Sequence, residues 1–441
     1  MEQGERMAKP KDMMKEIASL ANRRGFIYQS SEIYGGLASC WDYGPLGVEL
    51  KNNIKDAWWR AVVRTRDDVV GVDTSILMHP EIWVASGHVG EFHDMLVDCL
   101  QCKGRFRVDH LKGEQCPTCG GKEFTEPQKF QLMFKTKAGA SEASAMDVYL
   151  RPETAQGIFA DFKLIQKTSR QKVPFGIAQI GKSFRNEVTT KSFIFRSREF
   201  EQMELEFFVK PGTDQEWFEF WVDARFQWYK DLGIKPENLM LRPHDKDELA
   251  HYALCCTDIE YKFPFGWGEL EGIANRTDFD LKSHIDHSGK DLSYFDDESK
   301  DKYIPYVIES SGGIDRTFLV VMLDAYREEE VEGEKRVVLG FDKKTAPVKV
   351  AVFPLQKDEK LIEIAKNIYN DLRGFMNCFY DQSGNIGRRY RRQDEIGTPY
   401  AITVDFDTLE DESVTLRDRD TMVQERVKIS ELKTRFLEEF A

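Results

Sequence analysis

The amino-acid sequence predicts an α+β fold, on three observations. Residues 176–210 read as two alternating apolar and polar runs around a short polar loop, the pattern of an antiparallel hairpin. Glu309-Ser310-Ser311-Gly312-Gly313-Ile314-Asp315-Arg316 reads as a glycine-rich turn opening a helix, with apolar side chains at Phe318, Met322 and Ala325. Past Thr345, after the charged run REEEVEGEKRVV and the linker-like FDKKTAPVKV, strand and helix patterns alternate. The 441 residues, 41% hydrophobic and 12% aromatic, suffice for about two to four domains with sizeable cores. No internal repeat or low-complexity tract interrupts them.

Within the hairpin, Gln179, Ser183, Arg185 and Glu187 share one face of the first strand, and Phe200, Gln202, Glu204 and Glu206 one face of the second. The opposite faces, with Ile180, Phe184, Met203, Leu205 and Phe207, supply the core side. A charged face where a sheet covers a core fits either a solvated surface hairpin or the floor of a binding site. The residue order favours the second. Arg185-Asn186-Glu187, a loop, then Arg196 and Phe200 resembles motif 2 of the class II aminoacyl-tRNA synthetases. These residue types suit ATP: a planar guanidinium binds phosphate oxygens bidentately, a carboxylate accepts from the adenine amino group, and an aromatic ring offers the base a stacking surface.

The turn at residues 309–316 resembles motif 3 of the same class, where paired glycines let backbone approach a substrate and Arg316 can reach a terminal phosphate. Relatives usually carry Pro where this chain has Ser310, a departure that removes no functional group. Residues 34–59, a Gly-Pro turn leading into a helix with Leu50, Ile54 and Trp58 on one stripe, resemble motif 1, the dimer interface of the class. The stripe by itself says only core, whereas adjacent Trp58 and Trp59 cannot both face one core and point to a partner surface. RPETAQG at 151–157, GELEGIANR at 268–276 and WVASGH at 83–88 resemble the homodimeric type of glycyl-tRNA synthetase.

That resemblance implies a class II core, an antiparallel sheet flanked by helices, over residues 1–344, and an anticodon-binding domain over 345–441. It implies two-step aminoacylation: the glycine carboxylate attacks the α-phosphate of ATP, giving glycyl-adenylate and releasing pyrophosphate, and the 3′-OH of the terminal adenosine of tRNA-Gly then attacks the activated carbonyl, releasing AMP. Arg185 and Arg316 would be catalytic. ATP would meet Arg185, Asn186, Glu187, Phe195, Arg196, Phe200, Glu269, Leu270, Glu271, Gly313 and Arg316. Glycine would meet Arg107, Glu153, Arg185, Phe200, Gln202, Glu204, Glu309, Ser311 and Gly313, and Glu271 or Glu309 would help hold Mg²⁺. Because glycine has no side chain to grip, affinity must come from its two charged groups, and selectivity from a pocket filled up to the α-carbon.

Four of the eight cysteines form Cys99-x-x-Cys102 and Cys116-x-x-Cys119 with 13 residues between the pairs, the spacing of a zinc ribbon inserted near residues 97–122. A reduced cluster without metal is the other reading; the remaining cysteines lack such spacing. Past residue 345 the pattern predicts strands at 348–353, 378–380 and 400–404, helices at 359–372 and 386–395, a hairpin at 414–417 and 426–429, and a closing helix at 430–440. Arg388, Arg389, Arg391 and Arg392 are either a tRNA-backbone patch or a solvated helix face.

A net charge of −14 argues against a protein that coats nucleic acid generally. The polar, acid-containing N-terminal stretch and the lack of a long apolar run predict a cytoplasmic protein with no membrane contact. Two rivals stand beside this reading: a class II synthetase for alanine, serine or proline, and a non-catalytic nucleic-acid-binding paralogue. The intact Arg185, Glu187, Arg196, Phe200 and Arg316 count against the second.

Overall fold

The computed structural model describes residues 12–111, 113, 115–141, 144–188, 192–250 and 253–440. Residues 1–11, which carry most of the N-terminal reading, and 189–191 at the tip of the hairpin loop lie outside the described residues.

The N-terminal half is organised by a seven-stranded sheet. Its strands are β1 (Val69–Gly71), β2 (Phe175–Phe184), β3 (Glu199–Val209), β4 (Leu239–Pro243), β5 (Cys255–Phe263), β6 (Gly266–Thr277) and β7 (Tyr306–Gly313), in the order β4-β5-β6-β7-β3-β2-β1. All pairings are antiparallel except β1 with β2. The expected hairpin is β2–β3, in which Glu204 faces Gln179 and Phe200 faces Ser183. β7 lies on the other side of β3, setting Ser311 opposite Glu204 and Glu309 opposite Glu206. The first strand ends at Phe184, so Arg185 and Glu187 stand on the loop rather than on the strand face predicted for them.

Residues directly opposite one another share a face, so the pairing sorts the sheet into two sides. On one, Met203, Leu205 and Phe207 are fully buried beneath helices. These are α1 (Met13–Arg24), α2 (Pro45–Trp59), α4 (Asp214–Asp231) and α6 (Ile314–Ala325), with α3 (Ala155–Ser169) and α5 (Phe279–Ser288) on the opposite side. The second face is split. Phe175, Ile177, Phe208 and Val307 form an apolar cluster under α3 and α5, while the end carrying Phe200, Gln202, Glu204 and Ser311 opens into a cavity.

Of the tryptophan pair of α2, one ring enters the core and the other is half-buried at its edge. Trp58 is fully buried in the core and Trp59 packs against it, its ring filling the space beside Gly71. Just before this helix Ile33 and Tyr34 are 88% and 86% exposed, the most exposed large apolar side chains among the described residues.

The four-cysteine insertion hangs on a three-stranded sheet of His93–Asp98, Arg105–Arg107 and Gln128–Gln131. Each knuckle is closed by backbone: Lys103 N–H donates to the Cys99 carbonyl at 2.9 Å, and Gly120 N–H to that of Cys116 at 2.8 Å. Gly120 takes φ +75°, a left-handed turn that favours glycine.

The C-terminal body has its own core and a five-stranded sheet of β8 (Val350–Pro354), β9 (Cys378–Tyr380), β10 (Tyr400–Val404), β11 (Ser413–Asp418) and β12 (Gln424–Lys428), ordered β9-β8-β10-β11-β12. Helices α7 (Glu359–Leu372), α8 (Ile386–Ile396) and α9 (Ile429–Glu439) complete it. It is joined to the N-terminal half by Ile396, which packs in the main core, and by buried charge. Arg336, fully buried on the hairpin Tyr326–Val331/Glu334–Leu339, donates to Asp394 of α8 at 2.8 Å and to the carbonyl of Arg419. Arg417 holds both oxygens of the same Asp394 at 3.0 and 3.2 Å, so one buried carboxylate serves two guanidinium groups. No described helix is long and apolar enough to cross a membrane.

Candidate active site

The cavity at the open end of the sheet has a volume of about 330 Å³. The strands set its floor with Gln202, Glu204, Cys256, Asp258, Gly272 and Ala274; the β2–β3 loop supplies Arg185, Glu187, Phe195 and Arg196; and the start of α6 supplies Arg316.

At one wall the arginines are held on carbonyls and rings, leaving guanidinium edges for anions. Arg185 Nε donates to the Pro152 carbonyl at 3.0 Å, and its guanidinium carbon lies 5.3 Å from the centroid of Phe200. Arg316 donates to the carbonyls of Phe195 at 3.2 Å and Glu269 at 2.9 Å, and stacks over Phe195 at 4.6 Å. The Glu269 carboxylate meets Arg316 at 3.2 Å, and that cation outweighs burial in holding its carboxyl below the usual range. The turn ahead of α6 is fixed by Asp315, which accepts from Tyr43, from Lys51 at 3.2 Å and from Glu201 N–H at 2.8 Å.

At the other wall three carboxylates converge, each in a different electrostatic state. Glu153 meets His88 Nε2 at 3.3 Å and accepts from Gln156 at 3.0 Å; despite burial, the His88 contact and nearby Arg276 hold it far below the usual carboxylate range. Glu204 accepts from the backbone N–H of Thr154 at 3.0 Å and from its hydroxyl, yet burial and the charge of Glu153 push it up. Glu309 accepts from Arg276 at 2.9 Å, and burial, only partly opposed by that cation, pushes it up to about 7. Arg276 is itself clamped by Asp280 at 2.7 and 2.8 Å. A cavity lined on one wall by carboxylates and on the other by two arginines can take a zwitterion and a polyphosphate together.

Most of the sequence-predicted residues are therefore brought to one cavity, and three are not. Glu271 points into the opposite face, where Arg225 holds it at 2.6 and 3.1 Å and Ser310 donates to it at 2.5 Å. Neither an ATP contact nor a Mg²⁺ ligand is available from it. Glu309 lines the cavity but is engaged with Arg276 at 2.9 Å on the wall where the carboxylates converge. Arg107 lies outside the cavity lining, ion-paired to Asp94 at 3.2 Å and Asp109 at 2.7 Å. Asn186 also stays out of the lining, its backbone N–H bonded to the Leu132 carbonyl at 2.8 Å.

The basic cluster of α8 is corrected at one residue. Arg389 is 2% exposed, its guanidinium capping the carbonyls of Pro354 at 2.6 Å and Leu355 at 3.1 Å. Arg392 is tied to Asp381 at 2.6 Å and Arg391 lies 3.8 Å from Asp394, but their side chains stay 41% and 36% exposed, so with Arg388 they keep a basic surface from which Arg389 alone is removed. Sequence reasoning also passed over residues that hold the site: Arg276, Asp280, His88 and the His244–Asp258 pair at 2.8 Å. Arg276 ends β6 and Asp280 opens α5, so the turn between strand and helix brings them together, and the available signal was that Arg276 closes the run at 268–276.

In the insertion, Sγ of Cys99 lies 3.6 Å from that of Cys119, and Cys102 the same distance from Cys116, with all four within 4.8 Å of one another. A tetrahedral zinc with Zn–S near 2.3 Å requires sulfurs about 3.8 Å apart, so the cluster can hold such an ion.

Two family models match the chain: a tRNA synthetase class II core domain (G, H, P, S and T) over residues 134–377, and an anticodon binding domain over 349–439. Along nearly its whole length the chain is similar to proteins named glycine–tRNA ligase: 58% identical to that of Acetivibrio thermocellus, covering 97% of this chain and 98% of the relative. The chain belongs to the glycine–tRNA ligases. Two further members of this family show the same extent of likeness, that of Clostridium acetobutylicum at 55% identity over 98% of this chain and 99% of its own length, and that of Thermobifida fusca at 53% over 99% and 100%. As a class II ligase, the chain has an ATP-binding core followed by an anticodon-binding domain, arranged as the sheet topology describes.

Proposed function

We propose that the cavity activates glycine with ATP and passes it to the terminal adenosine of tRNA-Gly. The observation that carries this reading is the convergence of Glu153, Glu204 and Glu309 with Arg185 and Arg316 on one cavity. The carboxylates and Ser311 take the glycine ammonium, and Arg185 takes its carboxylate where it meets the α-phosphate. Arg196 and Arg316 bind the outer phosphates, Phe200 stacks on the base, and Glu187 accepts from the adenine amino group. As charge builds on the α-phosphate, Arg185 is already fixed on the Pro152 carbonyl and has no reorganisation to make. No side-chain nucleophile takes part; the protein positions and neutralises.

Mg²⁺ accompanying the nucleotide would neutralise phosphate charge, and Glu269, ionised beside Arg316, is the oxygen donor suited to it. Zinc fits the four thiols as a structural ion. The boundary between catalytic and anticodon-binding domains is set near residue 345, where the chain passes from one apolar core to the other. Ile33, Tyr34, Leu37 and Val48, exposed at the start of α2, form the face on which a second copy docks. Eight cysteines without a disulfide favour the cytoplasm.

Pyrophosphate exchange with a panel of amino acids tests the assignment. Exchange dependent on glycine, and absent with alanine, serine and proline, is the expected result; exchange with any of the three as efficient as with glycine overturns it.

A further inference from the structure

Behind the cavity floor stands a carboxyl group with no role in the reading above. Glu206 lies on β3 directly across from Glu309 of β7 and two residues beyond Glu204, so all three point to the same side of the sheet. It is fully buried, and neither of its oxygens has a hydrogen-bond partner among the described residues. One oxygen each from Glu204, Glu206 and Glu309 lies within 4.8 Å of the others.

The charges facing it are accounted for element by element. β3 contributes Glu204, β7 contributes Glu309, the end of β6 contributes Arg276, and α5 contributes Asp280. Arg276 gives two hydrogen bonds to Asp280 and one to Glu309. Glu153, ahead of α3, adds a further carboxylate and His88 faces it. Carboxyl groups thus outnumber cations in a dry space, and like charges this close do not all ionise. Burial, then the neighbouring Glu309, pushes the Glu206 carboxyl well above its ordinary range. A neutral acid also eases the hydrogen-bond problem: an ionised Glu206 would need donors the site does not offer, whereas a protonated one is itself a donor, with an oxygen of Glu204 and one of Glu309 within 4.8 Å to turn toward.

We propose that Glu206 is a positioning residue which keeps its proton in the folded enzyme and donates its O–H to Glu309, aiming that carboxylate at the ammonium of the bound amino acid. The second half of this statement rests on the glycine reading of the cavity. No bond to the substrate is involved, and the proton stays on Glu206 through the reaction. Its neutrality caps the negative charge of the cage, which one small ammonium must balance.

Two substitutions separate the roles. Glu206→Gln keeps a neutral donor of the same shape, and Glu206→Leu removes the donor. In infrared difference spectra of the full-length protein at about pH 8, where ordinary carboxyls are ionised, a protonated-carboxyl C=O band is expected in the parent and absent from Glu206→Gln. In glycine-dependent exchange, Glu206→Gln is expected to keep its KM for glycine within about threefold of the parent, while Glu206→Leu raises it about tenfold or more with KM for ATP and kcat little changed. The proposal is overturned by absence of the band, by Glu206→Gln behaving like Glu206→Leu, or by Glu206→Gln failing to fold, since a neutral amide is tolerated only where the acid was neutral. The infrared arm reads Glu206 whichever amino acid is activated. An intact band with exchange driven by another amino acid moves the fault to the glycine assignment.

Discussion

Arg185 is the side chain on which the chemistry turns. It bridges amino acid and nucleotide in the proposed complex, and its anchor on Pro152 is independent of either ligand. Arg185→Ala should lower glycine-dependent pyrophosphate exchange by a factor on the order of 10²–10³ with the circular-dichroism spectrum unchanged, because a preorganised donor at a developing charge is lost. Activity within tenfold of the parent would remove Arg185 from the mechanism. Glu309 makes a second residue-scale prediction. With its carboxyl near 7, a bound ammonium favours the ionised form, so glycine binding releases a proton below that pH. KM for glycine should therefore fall by up to about tenfold per unit as pH rises toward 7 and level off above it, whereas a flat profile from pH 6 to 8 would contradict the shift. Folding of the free protein runs the other way. A raised carboxyl stabilises below its ordinary 4.5 and loses that contribution as pH climbs through about 7.

Among the elements, those with a strong local pattern were legible in the sequence. The helix at Glu359–Leu372 and the strands at Cys378–Tyr380 and Tyr400–Val404 have the predicted bounds, because continuous apolar runs and a 3.6-residue stripe leave little choice of period. The β2–β3 hairpin was legible for the same reason, and its polar face marked the site. What alternation could not reveal was where a strand stops, so Arg185 and Glu187 were placed on a face they have already left. Nor could it tell a site carboxylate from a buried structural one. Glu269 and Glu271 look equivalent in GELEGIA, yet a register shift in the pairing of β5 with β6 separates them, and Arg225 from a helix 46 residues away claims the second. Arg389 misled for the same reason, since its carbonyl partners lie more than 30 residues back. For the insertion, Cys116→Ser together with Cys119→Ser should reduce bound zinc to background in an elemental assay and loosen residues 93–131 in hydrogen exchange. Unchanged metal content would refute the ribbon.

Across the whole molecule, nucleotide chemistry and anticodon binding are assigned to different bodies, so removing residues 345–441 should leave exchange and abolish most charging of tRNA, provided the truncated chain matches the parent in secondary structure. Charging unaffected by the deletion would contradict that division. The junction sets a condition on this experiment. Asp394→Ala would strand Arg336 and Arg417 without their shared anion, at a cost of about 3–5 kcal/mol measured by denaturant unfolding. A loss below about 1 kcal/mol would show the junction to be loose. Arg388→Ala, on the surface of the same helix, should leave stability unchanged and weaken tRNA binding only slightly, a loss that deepens with salt.

The junction also orders events on the ribosome. The main sheet of the catalytic half is complete once residue 313 has emerged, but the hairpin after it carries Arg336, which finds Glu329 within the hairpin while its buried anion Asp394 lies 58 residues further along the chain and its carbonyl acceptor 83 further. Until those residues leave the exit tunnel, that arginine has one of its two anions and lacks the surroundings that bury it. Domains built during synthesis usually settle in order from the N-terminus. Here the last piece of the first domain is finished by the second, so a nascent chain cut off before residue 394 carries an unclosed edge.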